Sequence, residues 1–324
     1  MKILFAAPEN AWGGFLGLIR SELPEHHFEA TGRFEINTLR GYDVLIPTMC
    51  PITEEILEDA DRLRLIQQCG SGLEGVDLEA AKKRNIWIAN VPTDISGNAD
   101  SVAELGIYMM IGLSRDFRGM SQSLASKKMG VPQGKSLCGR TVGLVGLGGI
   151  GKALVKRLKS FDVHLIGIKR HDPQRAMEEL GLEWVGGAQD LKTLLQRSDF
   201  VMLCLPLTVE NQRLMNQTTF SYMNHNAFLI NLSRGGLVDR DALEEALASG
   251  RIRGAGLDVF WEEPPDPNDS IFKYNVLATP HIAGSTDTSM QGIVKAVSEN
   301  IRRIQKNLEP LNHVEPHGQA RGTT

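Results

Sequence analysis

The stretch Thr141-Val142-Gly143-Leu144-Val145-Gly146-Leu147-Gly148-Gly149-Ile150-Gly151 decides the fold. Its apolar start reads as a strand, its glycines as a turn, and Lys152 to Phe161 as a helix, with a second strand, Val163 to Ile168, on schedule. The first glycine of such a turn permits a tight bend, the second lets the backbone approach a pyrophosphate, and the third lets helix and strand pack closely. The helix start then offers free N–H groups to the phosphates. In this order Gly146, Gly148, Gly149, Ile150 and Gly151 read as a dinucleotide site rather than a plain structural turn.

About 20 residues further on, such units normally carry an acid that accepts hydrogen bonds from the adenosine ribose. Lys169 and Arg170 stand there instead. An acid repels a 2′-phosphate whereas a cation pairs with it, so the expected cofactor is NADP. Arg170 is the planar phosphate binder and Lys169 adds diffuse charge. The alternatives are both cations solvated with NAD bound through Asp172, or use of either dinucleotide.

Outward from the turn, short apolar runs alternate with helical patterns. Before it, strands are expected at Ile3 to Ala6, Val44 to Ile46, Leu65 to Gln68 and Trp87 to Ala89, and helices at Ile52 to Ala60 and Leu78 to Lys83. After it, strands are expected at Phe200 to Leu205, Phe228 to Asn231, Gly254 to Val259 and Val276 to Ala278, and helices at Leu191 to Arg197 and Arg240 to Ala248. With the two strands that flank the turn, that makes six for a doubly wound parallel sheet, whose ligands bind beyond the carboxyl ends of the strands. The apolar segment Ala99 to Leu113 crosses between domains, and the amphipathic stretch Thr286 to Lys306 returns to the first. A dinucleotide-binding domain over 98–284 is therefore expected as an insertion in a smaller α/β substrate domain made of 1–97 and 285–324. His313 to Thr324 shows no periodicity and is expected to lack fixed structure.

The bulk numbers agree with this frame. A chain of 324 residues, 42% hydrophobic and 23% charged, suits two ordinary globular domains. A net charge of −4 offers nucleic acid no general attraction, and no apolar run is long enough for a membrane span. Cys50, Cys69, Cys138 and Cys204 lie far apart, with no ligand spacing for a metal. The expected setting is the cytoplasm.

Three segments follow successive strand ends after the turn: Asn231-Leu232-Ser233-Arg234-Gly235-Gly236, Asp258-Val259-Phe260-Trp261-Glu262-Glu263-Pro264, and Thr279-Pro280-His281-Ile282-Ala283-Gly284. Taken singly, Arg234, Glu263 and His281 each have an ordinary structural reading. Jointly they supply what hydride transfer to a carbonyl needs. Imidazole exchanges a proton near neutral pH, guanidinium holds an anionic substrate and polarises its carbonyl, and a carboxylate fixes the imidazole tautomer. In the first domain, Gly70-Ser71-Gly72 after the strand Leu65 to Gln68 offers exposed N–H groups for an anion.

On these motifs the chain resembles the D-2-hydroxyacid dehydrogenase family over nearly its whole length, in particular its NADP-dependent glyoxylate and hydroxypyruvate reductases. The resemblance rests on Gly146 to Gly151, Arg234-Gly235-Gly236, Asp258 to Pro264, Pro280-His281, and Gly70-Ser71-Gly72 leading to Val76-Asp77. It implies a Rossmann cofactor domain inserted into a flavodoxin-like substrate domain. It implies catalytic roles for His281 (proton shuttle), Glu263 (its orienter) and Arg234 (substrate binder). It also implies carboxylate-gripping N–H groups at Ser71 and Gly72, and an Asp258 that faces the nicotinamide carboxamide. Relatives with glutamine in place of the glutamate include formate dehydrogenases, and Glu263 argues against that branch. A homodimer is implied, with contacts around the domain-crossing helix. The expected function is therefore hydride transfer between NADP(H) and a small 2-keto or 2-hydroxy acid. The alternatives are an NAD-dependent enzyme of another branch, such as the phosphoglycerate or D-lactate type, and a dinucleotide-sensing, corepressor-like protein without catalysis.

Overall fold

In the computed structural model, which describes residues 1–314, the chain divides into two units: Met1–Asn98 with the segment from Ser285 onward, and Ala99–Gly284. The first is built on five parallel strands, β1 (Lys2–Phe5), β2 (His27–Ala30), β3 (Val44–Ile46), β4 (Leu65–Gln67) and β5 (Trp87–Ala89), in the order β2-β1-β3-β4-β5. That is the flavodoxin-like order. Successive side chains of a strand point to opposite faces, so one short apolar run feeds two cores. Ile3, Phe5, Val44 and Ile46 pack with Phe15, Leu16 and Ile19 of the helix Ala11–Glu22 and with Val294, Val297 and Ile301 of the helix Asp287–Gln305. Leu4, Leu45, Ile66 and Ile88 pack on the other face with Leu57, Ala80 and Ala81.

Several elements differ from the sequence expectation. β2 escaped it because His27-Phe28-Glu29-Ala30 carries polar residues at an edge of the sheet. The helix expected over Ile52 to Ala60 is only Glu54–Leu57, started by a Thr53 cap that accepts from the Ile56 amide. The start of the expected unstructured tail is also ordered: His313 forms an antiparallel bridge with Ala89, and the Val314 amide donates to the Ile88 carbonyl at 2.9 Å. The rest of that tail, 315–324, lies outside the described residues.

The second unit holds seven parallel strands, β6 (Thr141–Val145), β7 (His164–Ile168), β8 (Trp184–Gly186), β9 (Phe200–Leu203), β10 (Phe228–Asn231), β11 (Gly254–Leu257) and β12 (Val276–Ala278). Their order is β12-β11-β10-β9-β6-β7-β8, a doubly wound sheet whose direction of growth reverses between β6 and β9. The unexpected seventh strand is the three-residue edge strand β8, too short to leave a period. Val142, Leu144, Met202 and Ile230 face the helix Asn98–Ser114 and the helix Gly149–Leu158 through one core. Val145, Val201, Leu203 and Leu229 face the opposite core with Leu194, Phe220 and Leu243. Because every strand is parallel, all seven carboxyl ends open on one edge.

Candidate active site

The glycine turn occupies that edge at the reversal point. Gly146 has φ +104°, and a Cβ there would stand 2.7 Å from the Cys204 carbonyl oxygen at the end of β9. A Cβ on Gly151 would stand 2.3 Å from the Gly146 carbonyl oxygen, so the helix start lies directly on the turn. Gly148 differs: a Cβ there would meet nothing within 4 Å. It caps the helix Gly149–Leu158 without any side-chain hydrogen bond, which leaves the first-turn N–H groups unsatisfied by a cap. Two glycines are thus demanded by the protein's own backbone, and the third opens a bare backbone surface at a helix start. A pyrophosphate fits such a cradle.

β7 ends at Ile168, which places Lys169 and Arg170 at the next carboxyl end beside the turn. The Lys169 amide donates to the Gly186 carbonyl at 3.0 Å, and Arg170 Nε donates to His171 Nε2 at 3.0 Å. Among the described residues neither side chain forms an ion pair, although the charge of Arg170 acts on Glu210 and that of Lys169 on Glu179. Asp172, at φ +49°, lies at the start of the helix Pro173–Leu180 and caps it with no side-chain hydrogen bond.

The acid, base and cation come from β10, β11 and β12. After β10, Asn231 Nδ2 donates to the Arg234 carbonyl at 2.8 Å and its Oδ1 accepts from the Ser233 amide at 3.1 Å. Gly235 must be glycine, because a Cβ there would stand 1.9 Å from the Phe260 carbonyl oxygen. That close approach sets the Arg234 loop against the segment after β11. There the Phe260 amide donates to Glu263 Oε1 at 3.0 Å, while His281 Nδ1 lies 2.6 Å from Glu263 Oε2. A carboxylate can only accept, so Nδ1 carries the proton and Nε2 is the nitrogen left for proton exchange. Burial pushes the Glu263 carboxyl up, but the hydrogen bonds from His281 and Phe260 and the charges of His281 and Arg234 outweigh it and hold its pKa below the usual value.

His281 has φ +54°, a left-handed conformation that costs a residue with a Cβ about 1 kcal/mol and needs support. Asp258 supplies it. Its Oδ1 accepts from Thr279 Oγ1 at 2.7 Å and from the Ile282 amide at 2.9 Å, and its Oδ2 accepts from the Ala283 amide at 3.0 Å. The carboxylate therefore grips the chain on both sides of the histidine. Asp258 is only 1% exposed, and burial raises its pKa against the opposing pull of those donors. This brace was not visible in the sequence; Thr279, two residues before a loop histidine, was its one local signal. Trp261 donates its Nε1–H to the Val238 carbonyl at 2.6 Å and packs on the core of its own unit.

In the first unit, Ser71 and Gly72 follow β4. Asn90 Nδ2 donates to the Ser71 carbonyl at 2.8 Å, and the Val91 amide donates to the Gly70 carbonyl at 3.1 Å. Among the described residues no group of three or more His, Cys, Asp or Glu side chains could hold a metal, and no helix is long and apolar enough to cross a membrane. The four cysteines are all free.

The sequence profile described as "D-isomer specific 2-hydroxyacid dehydrogenase, NAD binding domain" matches residues 107–283. The chain belongs to this family. It is 37% identical over 290 residues to a glyoxylate reductase from Thermococcus litoralis, covering 86% of this chain and 85% of that one. It is 35% identical over 275 residues to a D-3-phosphoglycerate dehydrogenase from Methanocaldococcus jannaschii, covering 83% of this chain but only 51% of that longer protein. The D-lactate dehydrogenase of Escherichia coli superposes with a TM-score of 0.82 at 28% identity, over 97% of this chain and 100% of the other. Family and α/β architecture thus agree with the expectation from the motifs, while the relatives' names span several substrates.

Proposed function

We propose that this family member is a reductase of small 2-keto acids, of the glyoxylate or hydroxypyruvate kind, with a preference for NADP(H). The observation that carries the reading is the 2.6 Å His281–Glu263 pair, set beside Arg234 on the same sheet edge as the glycine turn. Reduction of a keto acid adds a hydride to the carbonyl carbon and a proton to its oxygen. A bound nicotinamide supplies the hydride. His281, protonated on both nitrogens, gives its Nε2 proton to the oxygen that becomes the hydroxyl, and takes one back in the reverse direction. Glu263 stabilises the charged ring and keeps Nδ1 a donor. Arg234 holds the anionic substrate and draws charge from its carbonyl, and the Ser71 and Gly72 amides grip the carboxylate. Asp258 has used three of about four lone-pair positions on its brace, which leaves one for the nicotinamide carboxamide.

The NADP preference is supported by two cations at the end of β7 that, among the described residues, form no direct ion pair. A dinucleotide with a bare ribose gains little from Arg170, whereas a 2′-phosphate gains a charge-assisted pair. Free cysteines suit a cytoplasmic setting. A homodimer is supported by apolar exposure on the helices Asn98–Ser114 and Phe117–Ala125 and the chain after them: Tyr108 is 51% exposed, Leu124 79% and Met129 90%.

A kcat/KM matrix of NADPH and NADH against glyoxylate, hydroxypyruvate, pyruvate, phenylpyruvate and phosphohydroxypyruvate tests substrate and cofactor together. The expected pattern is NADPH with glyoxylate or hydroxypyruvate on top, and a drop of about 10- to 100-fold in the NADPH to NADH ratio for Arg170→Ala. An unchanged ratio refutes the phosphate assignment. Binding of NADPH without turnover of any keto acid favours a sensor.

A further inference from the structure

We infer that Asn90 is a positioning residue for substrate recognition, acting through the two peptide groups of the loop after β4. The inference rests on the proposal that the Ser71 and Gly72 amides bind the substrate carboxylate. In a trans peptide the carbonyl and the N–H of the same plane point in opposite directions. Whatever holds the Ser71 carbonyl therefore aims the Gly72 N–H, and whatever holds the Gly70 carbonyl aims the Ser71 N–H. Both carbonyls are held by one short segment: Asn90 Nδ2 donates to the first at 2.8 Å and the Val91 amide to the second at 3.1 Å. Neither the Ser71 nor the Gly72 amide is itself engaged by a protein acceptor among the described residues. The two N–H groups thus point away from the 90–91 segment, free of any protein acceptor among the described residues and fixed in direction, which is the requirement for an anion nest.

Asn90 is held from behind as well. Its own amide donates to the Asn312 carbonyl at 3.3 Å. That segment is anchored by Asn300, whose Nδ2 donates to the Leu311 carbonyl at 3.0 Å and whose Oδ1 accepts from the Leu311 amide at 2.7 Å. The side chain at position 90 must be a donor of asparagine length: alanine releases the Ser71 carbonyl, and aspartate faces it with an acceptor of nearly the same shape.

The test compares Asn90→Ala, the near-isosteric Asn90→Asp, and Gly72→Pro, which deletes one carboxylate-binding N–H outright. Readouts are KM for the best keto acid, Ki for oxamate, kcat, and NADPH Kd by fluorescence. For Asn90→Ala, KM and Ki are expected to rise together on the order of tenfold, and further for Asn90→Asp. kcat should stay within about twofold and NADPH affinity should hold, because the hydride and proton machinery is untouched. A merely structural role would instead lower kcat, NADPH affinity and thermal stability together, and that result overturns the inference. If Gly72→Pro raises KM while both Asn90 variants leave it alone, the loop binds the carboxylate but Asn90 does not aim it. If Gly72→Pro also leaves KM and Ki unchanged, the carboxylate-loop reading itself fails.

Discussion

The glycine turn after β6 and the His281 loop after β12 lie on the same sheet edge, yet they are built in opposite ways. The turn carries most of its geometry within itself: Gly151 packs on Gly146, six residues span the feature, and from outside Gly146 meets the neighbouring strand ends, Cys204 and Leu205 after β9 and the Ile168 carbonyl of β7. The loop is shaped from a distance. Asp258, more than twenty residues earlier, brackets His281 with three hydrogen bonds, and Glu263 holds its ring. A binding surface for phosphate needs only bare backbone, which local sterics can make. A proton donor needs a side chain aimed at one atom, which takes partners from other strands.

On the proposed reading the turn binds and the loop does the chemistry, and variants can separate the two. The largest effect is expected from His281→Ala: kcat falls about 10²- to 10⁴-fold while NADPH Kd, read by fluorescence titration, stays near wild type. Retention of kcat near wild type would remove the proton-transfer role. Next comes a pair within the turn. Gly151→Ala forces a Cβ onto the Gly146 carbonyl, so it should cost about 1–3 kcal/mol of stability as well as cofactor affinity. Gly148→Ala places its methyl in open space, so thermal stability should hold while NADPH Kd rises on the order of tenfold. Equal losses of stability in both variants would mean that Gly148, too, serves the fold rather than the ligand.

The smallest effect belongs to a residue placed by tertiary structure alone. His26 is 8% exposed, neither ring nitrogen has a hydrogen-bond partner among the described residues, and the carboxylate of Glu25 is 3.7 Å away, too far for one. Burial, with the positive chain terminus, lowers its pKa below the ordinary 6.5, despite Glu25. The unfolded chain then takes up a proton below pH 6.5 that the folded protein resists, so stability falls as pH drops from there toward the lowered native value. His26→Phe should flatten that decline and raise stability near pH 6 by up to about 1 kcal/mol, measured by urea titration. An unchanged pH profile would place the acid sensitivity elsewhere.

Legibility in the sequence followed the range of the interactions. Strands buried on both faces, such as Val142 to Val145 and Phe228 to Ile230, read as apolar runs because both neighbours demand the same residues. Edge strands β2 and β8 did not, because β2 carries His27 and Glu29 and β8 has only three residues, whereas the edge strands β5 and β12 kept apolar runs and were expected. Among site residues, Arg234, Glu263 and His281 were readable because each follows a strand end in a parallel sheet. The bracing by Asp258 and the aiming of the first-unit loop by Asn90 were not, because their partners are fixed by which strands become neighbours.

By itself, then, the sequence determined a dinucleotide turn, two α/β units' worth of strands, and a set of titratable and cationic side chains at strand ends. These follow from local sterics and period, which a linear string carries. The tertiary structure alone decided that Asp258 clamps both sides of His281, that Gly235 is required by the Phe260 carbonyl, and that the segment at His313 and Val314 backs the strand preceding Asn90. Each of those depends on hydrogen bonds or close approaches between segments far apart in sequence, whose spacing exists only once the strands have paired.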